Sequence, residues 1–175
     1  MPRAANKTNI TQEVVRSCFV YNAETGIFTW KIKRSKGKIS VGDVAGHVCK
    51  KKGYVHIRLD GFLYLAHRLA WLYVFGVWPA GEVDHINSIR SDNRIKNLRD
   101  VSHSINQQNV KFPQKNNTSG FLGVTRKRKK WSASIQHGDK HISLGVFDKP
   151  EDAHAAYLLA KSNIHAGFST EGMAT

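Results

Sequence analysis

The sequence predicts an α+β fold built from short antiparallel strand pairs with separate helices, and three observations predict it. Apolar residues alternate in short runs, as strands do, and helical periodicity is confined to a few other stretches. Asp60-Gly61 stands between two apolar-rich runs, a strong signal for a tight hairpin because both central residues need positive φ.

The elements follow in chain order. Residues 11–20, TQEVVRSCFV, read as a short amphipathic helix, and GIFTWKI then alternates as a strand. Residues 31–38, KIKRSKGK, read as an exposed basic loop, and GYVHIRLDGFLYLAH supplies the two strands of the Asp60-Gly61 hairpin. AHRLAWLYVFGV at 66–77 is apolar on nearly every face and suits a buried helix ending near Gly76, with Pro79 blocking continuation. His67 and Arg68 interrupt it. They form either a half-buried pair holding the helix against the hairpin or, through Arg68, a phosphate contact beside a site.

Glu82 to His85 can form a short strand after a Pro-Ala-Gly turn, and residues 86–96 are loop-like and polar. Residues 97–101 can return as a second strand, and Ser102 suits the N-cap of a helix running to about Asn109. Residues 110–120, VKFPQKNNTSG, have linker composition. This divides the chain into a first domain at 1–110, a linker at 111–120 and a second domain at 121–175.

Beyond the linker, WSASIQ and HISLGVF read as strands joined by HGDK, and KPEDAHAAYLLAKSNIHAGF as a helix. Asp148 would cap that helix, Glu151 would reach back, and Pro150 would sit in its first turn. Ala153, Ala156, Tyr157, Ala160 and Ile164 keep the spacing of one buried face. Strict alternation puts Trp131, Ala133, Ile135, Ile142, Leu144 and Val146 under this helix. It leaves Ser132, Ser134, Gln136, His141 and Ser143 on the other side.

At 175 residues, 41% hydrophobic and 23% charged, the chain can bury a core. A formal net charge of +14 points to a polyanionic partner, most often nucleic acid. The surplus is uneven. Residues 1–80 hold 13 Lys/Arg against 4 Asp/Glu, residues 81–109 hold 4 against 4, and residues 110–175 hold 10 against 5. A neutral centre between basic flanks separates phosphate affinity from some other task. Cys18 and Cys49 alone exclude a four-cysteine zinc site and argue against a disulfide framework. No stretch reaches 18 apolar residues and the N-terminus lacks the apolar run of a signal peptide. The expectation is a soluble protein of the cytoplasm.

The neutral centre, VDHINSIRSDNRIKNLRDVSHSINQQN, crowds Asn around an Asp-His pair. Asp84 offers a hard anionic oxygen suited to Mg²⁺ or Mn²⁺. His85, its strand neighbour, points to the other side and suits a general base. Asn106, on the following helix, could return as a second, neutral oxygen ligand, with His103 as a rival. Asn87, Asp92 and Asn93 suit turn-making, since Asx side chains bond to nearby backbone.

The assembly D-H-x(11)-N-L-x(7)-N, formed by Asp84, His85, Asn97 and Asn106, resembles the HNH homing endonucleases of the ββα-metal (His-Me finger) class, phage-type and intron-type. AHRLAW, VDHIN, DNRIKNLR and SIN-QQN carry the likeness, which runs from about residue 20 to 109. It implies double-stranded DNA as substrate and one Mg²⁺ or Mn²⁺ ion on Asp84 and Asn106. His85 would activate water, Asn97 would hold the loop that orients His85, and the ends would be 5′-phosphate and 3′-hydroxyl. One motif per chain favours nicking by a monomer, and cutting both strands would need two assembled sites. Asn106 stands where many relatives carry a final His, a departure the homing branch tolerates.

The string G-V-T…W-x-A-x-I…L-G-x-F…E-x-A-x-x-A-Y is similar to the APETALA/ethylene-response-factor (AP-two/ERF) DNA-binding domain. That likeness implies a three-stranded antiparallel sheet laid in the major groove and backed by one helix. Arg126, Lys127, Arg128 and Lys130 are the leading phosphate or base contacts, joined by Trp131, Ser134 and His141 on the sheet; a charge run alone is equally a solvated face. The alternatives to a DNA endonuclease are a DNA-binding regulator with an inactive nuclease unit and an RNA-acting nuclease.

Overall fold

The computed structural model describes residues 10–33, 39–113, 116–165 and 168. The chain divides into two compact units, Met1–Val101 and Ser102–Thr175. This division falls earlier than the linker-like stretch at 111–120.

In the first unit, α1 (Gln12–Cys18) starts where the Thr11 side chain accepts from the Val14 N–H. Phe19 leaves the helix in extended conformation and opens a hairpin, β1 (Phe19–Asn22) against β2 (Ile27–Trp30). Asn22 closes its turn by accepting from the Glu24 and Thr25 N–H groups at 2.9 and 3.0 Å. Gly26, at φ 73°, has the backbone of Asn93 and Arg94 where a Cβ would be, so only glycine lets the two segments meet. The basic loop is exposed at 31–33, and its remainder lies outside the described residues.

A second sheet runs β3 (His47–Val48), β4 (Val55–Leu59), β5 (Phe62–Leu65), all antiparallel. Asp60 at φ 48° and Gly61 at φ 85° make the expected two-residue turn. The helix α2 (Ala66–Phe75) ends as expected at Gly76, whose φ is 77° and whose N–H returns to the Leu72 carbonyl at 3.0 Å. Full burial of that stretch does not hold. Ala66, His67, Leu69, Ala70 and Leu72 are buried, whereas Phe75 and Val77 are 52% and 62% exposed. A helix ten residues long packs one face on its neighbours, and its last turn runs out past them.

The third pair, β6 (Glu82–His85) and β7 (Leu98–Val101), matches Val83 to Asp100 and Asp84 to Arg99. Asp100 ties its start, accepting from the Ala80 and Gly81 N–H groups at 2.7 and 2.8 Å. Val83 and Leu98 join one core with Val15, Phe19, Phe28, Trp30, Ile57, Leu59, Leu69 and Leu72. Burial of each large apolar side chain contributes about 1.5–3 kcal/mol. Val83 and Leu98 share a face of the pair with their partners Asp100 and His85, while Asp84 and Arg99 lie on the opposite face.

The second unit begins with α3 (His103–Gln108), capped as expected by Ser102, which accepts from the Ile105 N–H. A three-stranded antiparallel sheet follows in the order β10 (Lys140–Phe147), β9 (Lys130–His137), β8 (Val124–Lys127), and α4 (Pro150–Ile164) packs on it. Val124, Ala133 and Ala153 form its core with Phe121, Trp131, Leu144 and Phe147 against them. Gly123, at φ 70°, lies where any Cβ would enter the Tyr157 ring.

Three expectations here are corrected. The N-cap of α4 is Lys149 and makes no side-chain cap bond; Asp148 instead pairs with the Lys130 Nζ at 3.0 Å. Pro150 fixes the first turn at the next residue, one place later than a cap at Asp148 needs. Strict alternation fails in β10, where the pairing jumps from Ser143↔Ser134 to Gly145↔Ala133. Leu144 is the extra residue of this bulge, and one inserted residue flips everything after it. Val146 therefore pairs with Ser132 on the face away from the core, 48% exposed, and Phe147 turns inward. Finally, the buried face of α4 includes Lys161, 2% exposed, which donates to the Val110 carbonyl and lies over the Tyr157 and Phe168 rings. Burial, with the nearby Lys111 charge, pushes its ammonium down to about 8.

Candidate active site

Hydrogen bonds among Asx side chains build the loop between β6 and β7. Asn97 lies at its end, 5% exposed, in the 3-10 turn Ile95–Asn97. Its Oδ1 accepts from the Asn87 N–H at 3.0 Å and its Nδ2 donates to the Asp92 carbonyl at 2.8 Å. One side chain at the end of the loop therefore ties down its start and its middle. Asn87 Nδ2 donates to Asp92 Oδ2 at 2.7 Å, and Arg94 Nε donates to Asp92 Oδ1 at 2.7 Å. The Arg94 bonds come first, then that of Asn87, in holding the Asp92 carboxyl down at about 2. The first hairpin braces the loop from outside: Tyr21 donates its hydroxyl to the Asn93 carbonyl at 2.7 Å.

His85 ends β6 and is 4% exposed. Its Nε2 stands 3.4 Å from Asn93 Oδ1, and Asn93 Nδ2 donates to the Ser91 carbonyl at 3.2 Å. Burial pushes the His85 imidazole below its ordinary range, against the opposing pull of Asn93, Asp84 and Asp92. It is neutral near pH 7, the form a proton acceptor needs.

Asp84, 8% exposed, faces its cross-strand partner Arg99. Arg99 Nε and Nη2 lie 2.9 and 2.7 Å from Asp84 Oδ2. The guanidinium supplies the positive charge that a buried carboxylate requires. A hard divalent ion answers the same need, so the oxygen donor fits one, in competition with Arg99 for Oδ2. Among the described residues, no three His, Cys, Asp or Glu side chains stand close enough to hold a metal ion by themselves.

Asp84, His85 and Asn97 thus sit together on one strand pair and its loop. Asn106 lies on α3 in the second unit, its N–H on the Ser102 carbonyl at 3.0 Å. Arg68 donates from Nη1 to the Gly81 carbonyl at 3.3 Å and covers the Trp78 ring at 5.9 Å, bracing the turn before β6. In the second unit Arg126 lies over Trp131 at 5.7 Å, Lys127 pairs with Lys130 across the sheet, and Arg128 turns between them at φ 57°. Ser134 pairs with Ser143, and His141 with Gln136.

Three residues of the site were missed in the sequence. His67 of α2 sets its ring edge-on to His85, centroids 4.9 Å apart, with Tyr54 at 5.2 Å from His67 and 5.9 Å from His85. Burial, helped by the His85, Arg68 and His56 charges, pushes His67 down to about 3, and its Nδ1 is buried without a hydrogen-bond partner. Nothing local in the sequence marks these contacts, which join α2, the β3–β4 turn and β6. Arg99 was legible in principle, since the register of a β6–β7 pair places it opposite Asp84.

Residues 64–108 match the family model of the HNH endonuclease. The match covers about a quarter of the chain. The match begins in β5 and spans α2, the β6–β7 pair and α3, so it includes His67 as well as Asp84, His85, Asn97 and Asn106. Neither the curated proteins nor the solved structures gave a match to the chain. The HNH domain makes the chain a nuclease, a hydrolase whose substrate is nucleic acid. HNH nucleases generally use a divalent metal ion. Among the described residues no helix is long and apolar enough to cross a membrane.

Proposed function

We propose that the chain is a metal-dependent endonuclease of the homing type that hydrolyses phosphodiester bonds of double-stranded DNA, with His85 as general base. The observation that carries this reading is a buried His85 that follows Asp84 at the end of β6, where the strand enters a loop clamped by Asn97. Asn93 Oδ1 is an acceptor, because its amide nitrogen is committed to the Ser91 carbonyl. It therefore favours the His85 tautomer with the proton on Nε2, which makes Nδ1 the nitrogen that would take a proton from the attacking water.

Asp84 would hold one Mg²⁺ or Mn²⁺ ion; Asn106 joins it as second ligand on the strength of the motif spacing alone. When bound, the ion supplies positive charge at the scissile phosphate and at the leaving 3′ oxygen. The products would carry 5′-phosphate and 3′-hydroxyl ends. Arg99 would hold the Asp84 carboxylate aligned. Asn97 would act as a positioning residue through the loop. Acting as a monomer, one site would nick one strand.

The second unit would carry the DNA-reading surface of an AP-two/ERF-like domain. The face of its sheet away from α4 bears Ser132, Ser134, Gln136, His141 and Ser143, with Val146 added by the bulge. Arg126, Lys127, Arg128 and Lys130 would meet phosphates at its edge. The test is plasmid nicking with Mg²⁺ by the unaltered chain and by His85→Ala. Cutting that survives the substitution would remove His85 from its role.

A further inference from the structure

Arg90 lies over the Tyr54 ring, and three lysines stand in the turn that precedes Tyr54 in the chain. Between Asp43 and Asp60 the sequence holds no acidic residue, and Lys50, Lys51 and Lys52 stand exposed in the turn that joins β3 to β4. That turn is tight: the Gly53 N–H returns to the Cys49 carbonyl at 2.7 Å, with Gly53 at φ 75°. Arg90, from the loop after β6, lies across it. Its Nη1 donates to the Lys52 carbonyl at 3.1 Å, and its stem passes over Gly53, where an added Cβ would be 3.7 Å from the Arg90 Cβ.

The guanidinium of Arg90 covers the Tyr54 ring at 5.0 Å, and the same ring lies 5.9 Å from His85. One aromatic side chain thus links a surface cation to the proposed base. The loop that carries Arg90 is the loop Asn97 clamps: Asn87 accepts from the Ile89 N–H at 2.9 Å, and Ser88 takes φ 64° to turn the chain. A merely solvated arginine would have neither a carbonyl nor a ring to hold it. The acid in its own loop, Asp92, is engaged by Arg94. A guanidinium held flat on a ring keeps its outer N–H groups directed for a phosphate.

We infer that Arg90, with Lys50, Lys51 and Lys52, forms a phosphate-binding surface that grips the nucleic-acid backbone next to the phosphate hydrolysed at His85. Tyr54 is the positioning residue between the two. This inference rests on the nuclease reading and extends it to a residue group on which the basic flank of the first unit acts.

The experiment measures binding of a short random-sequence duplex in EDTA, as a function of salt, and plasmid nicking in Mg²⁺ in parallel. The chains compared are the unaltered protein, Arg90→Gln, Arg90→Lys, the triple Lys50→Gln/Lys51→Gln/Lys52→Gln and, as a charge control, Lys96→Gln, whose partner is Glu24. Each lost phosphate contact lowers the slope of log K against log salt by ~0.9. Arg90→Gln should lower it by about one such step and weaken binding roughly tenfold at low salt. The triple variant should lower it further, while Arg90→Lys and Lys96→Gln keep the slope. Unchanged slopes for both Arg90→Gln and the triple variant would overturn the inference. Lowered slopes with no nicking by the unaltered chain keep this surface and remove the nuclease reading; nicking with unchanged slopes does the reverse.

Discussion

At the scale of single residues, the site is organised by what burial does to imidazoles and by how Asn bonds. His67 is neutral down to about pH 3 when folded but titrates near 6.5 when unfolded. Between those values the unfolded chain binds a proton that the folded chain refuses. Stability is therefore complete above about pH 6.5 and falls as the pH drops towards 3, at up to ~1.4 kcal/mol per pH unit. His85 adds to the loss in the same direction. Urea unfolding at neutral and mildly acid pH should give a smaller difference for His67→Leu than for the unaltered chain; an equal difference would contradict the assignment. Asn97→Ala leaves the Asn87 N–H and the Asp92 carbonyl unsatisfied in a half-buried loop. It should cost about 1–3 kcal/mol in the same unfolding assay and lower nicking more than its stability loss explains. A variant that nicks normally once folded would show that the clamp does not serve His85.

At the scale of elements, the first hairpin exists partly to brace a loop that is distant in sequence. Gly26 meets the backbone of Asn93 and Arg94 with no room for a Cβ, and its φ is positive. Gly26→Ala should therefore destabilise by about 1–3 kcal/mol or more. Limited proteolysis should cut the 86–96 loop faster in that variant, and an unchanged cutting rate would mean the brace is dispensable. In unit two, deleting Leu144 removes the bulge but leaves Gly145, Val146 and Phe147 on their present partners, so Val146 should stay on the outer face and only the Leu144 packing should be lost, a change read by tryptophan fluorescence. Elements whose cause is local were legible in the sequence. The Asp60-Gly61 turn, the Gly76 stop, the Ser102 cap and the β6–β7 pair each depend on a few adjacent residues. What depends on a register or on tertiary contact was not. Leu144 looks like any alternating residue until its pairing slips, and Asp148 looks like a cap until Pro150 fixes the helix start. His67 and Tyr54 reach His85 only once three elements have packed.

At the scale of the whole molecule, a net charge of +14 makes binding to a polyanion strong and salt-dependent. The charge is carried by residues 1–80 and 110–175, while residues 81–109, with the Asp-His pair, are neutral. Attraction and chemistry are therefore separable by substitution. The most direct measurement is conversion of supercoiled plasmid to nicked or linear product by the unaltered chain and by His85→Ala, with Mg²⁺ and with EDTA, alongside gel-shift binding. Product that needs both the ion and His85, with binding intact in the variant, is the predicted result. Equal cutting by His85→Ala, or cutting that persists in EDTA, would contradict the account.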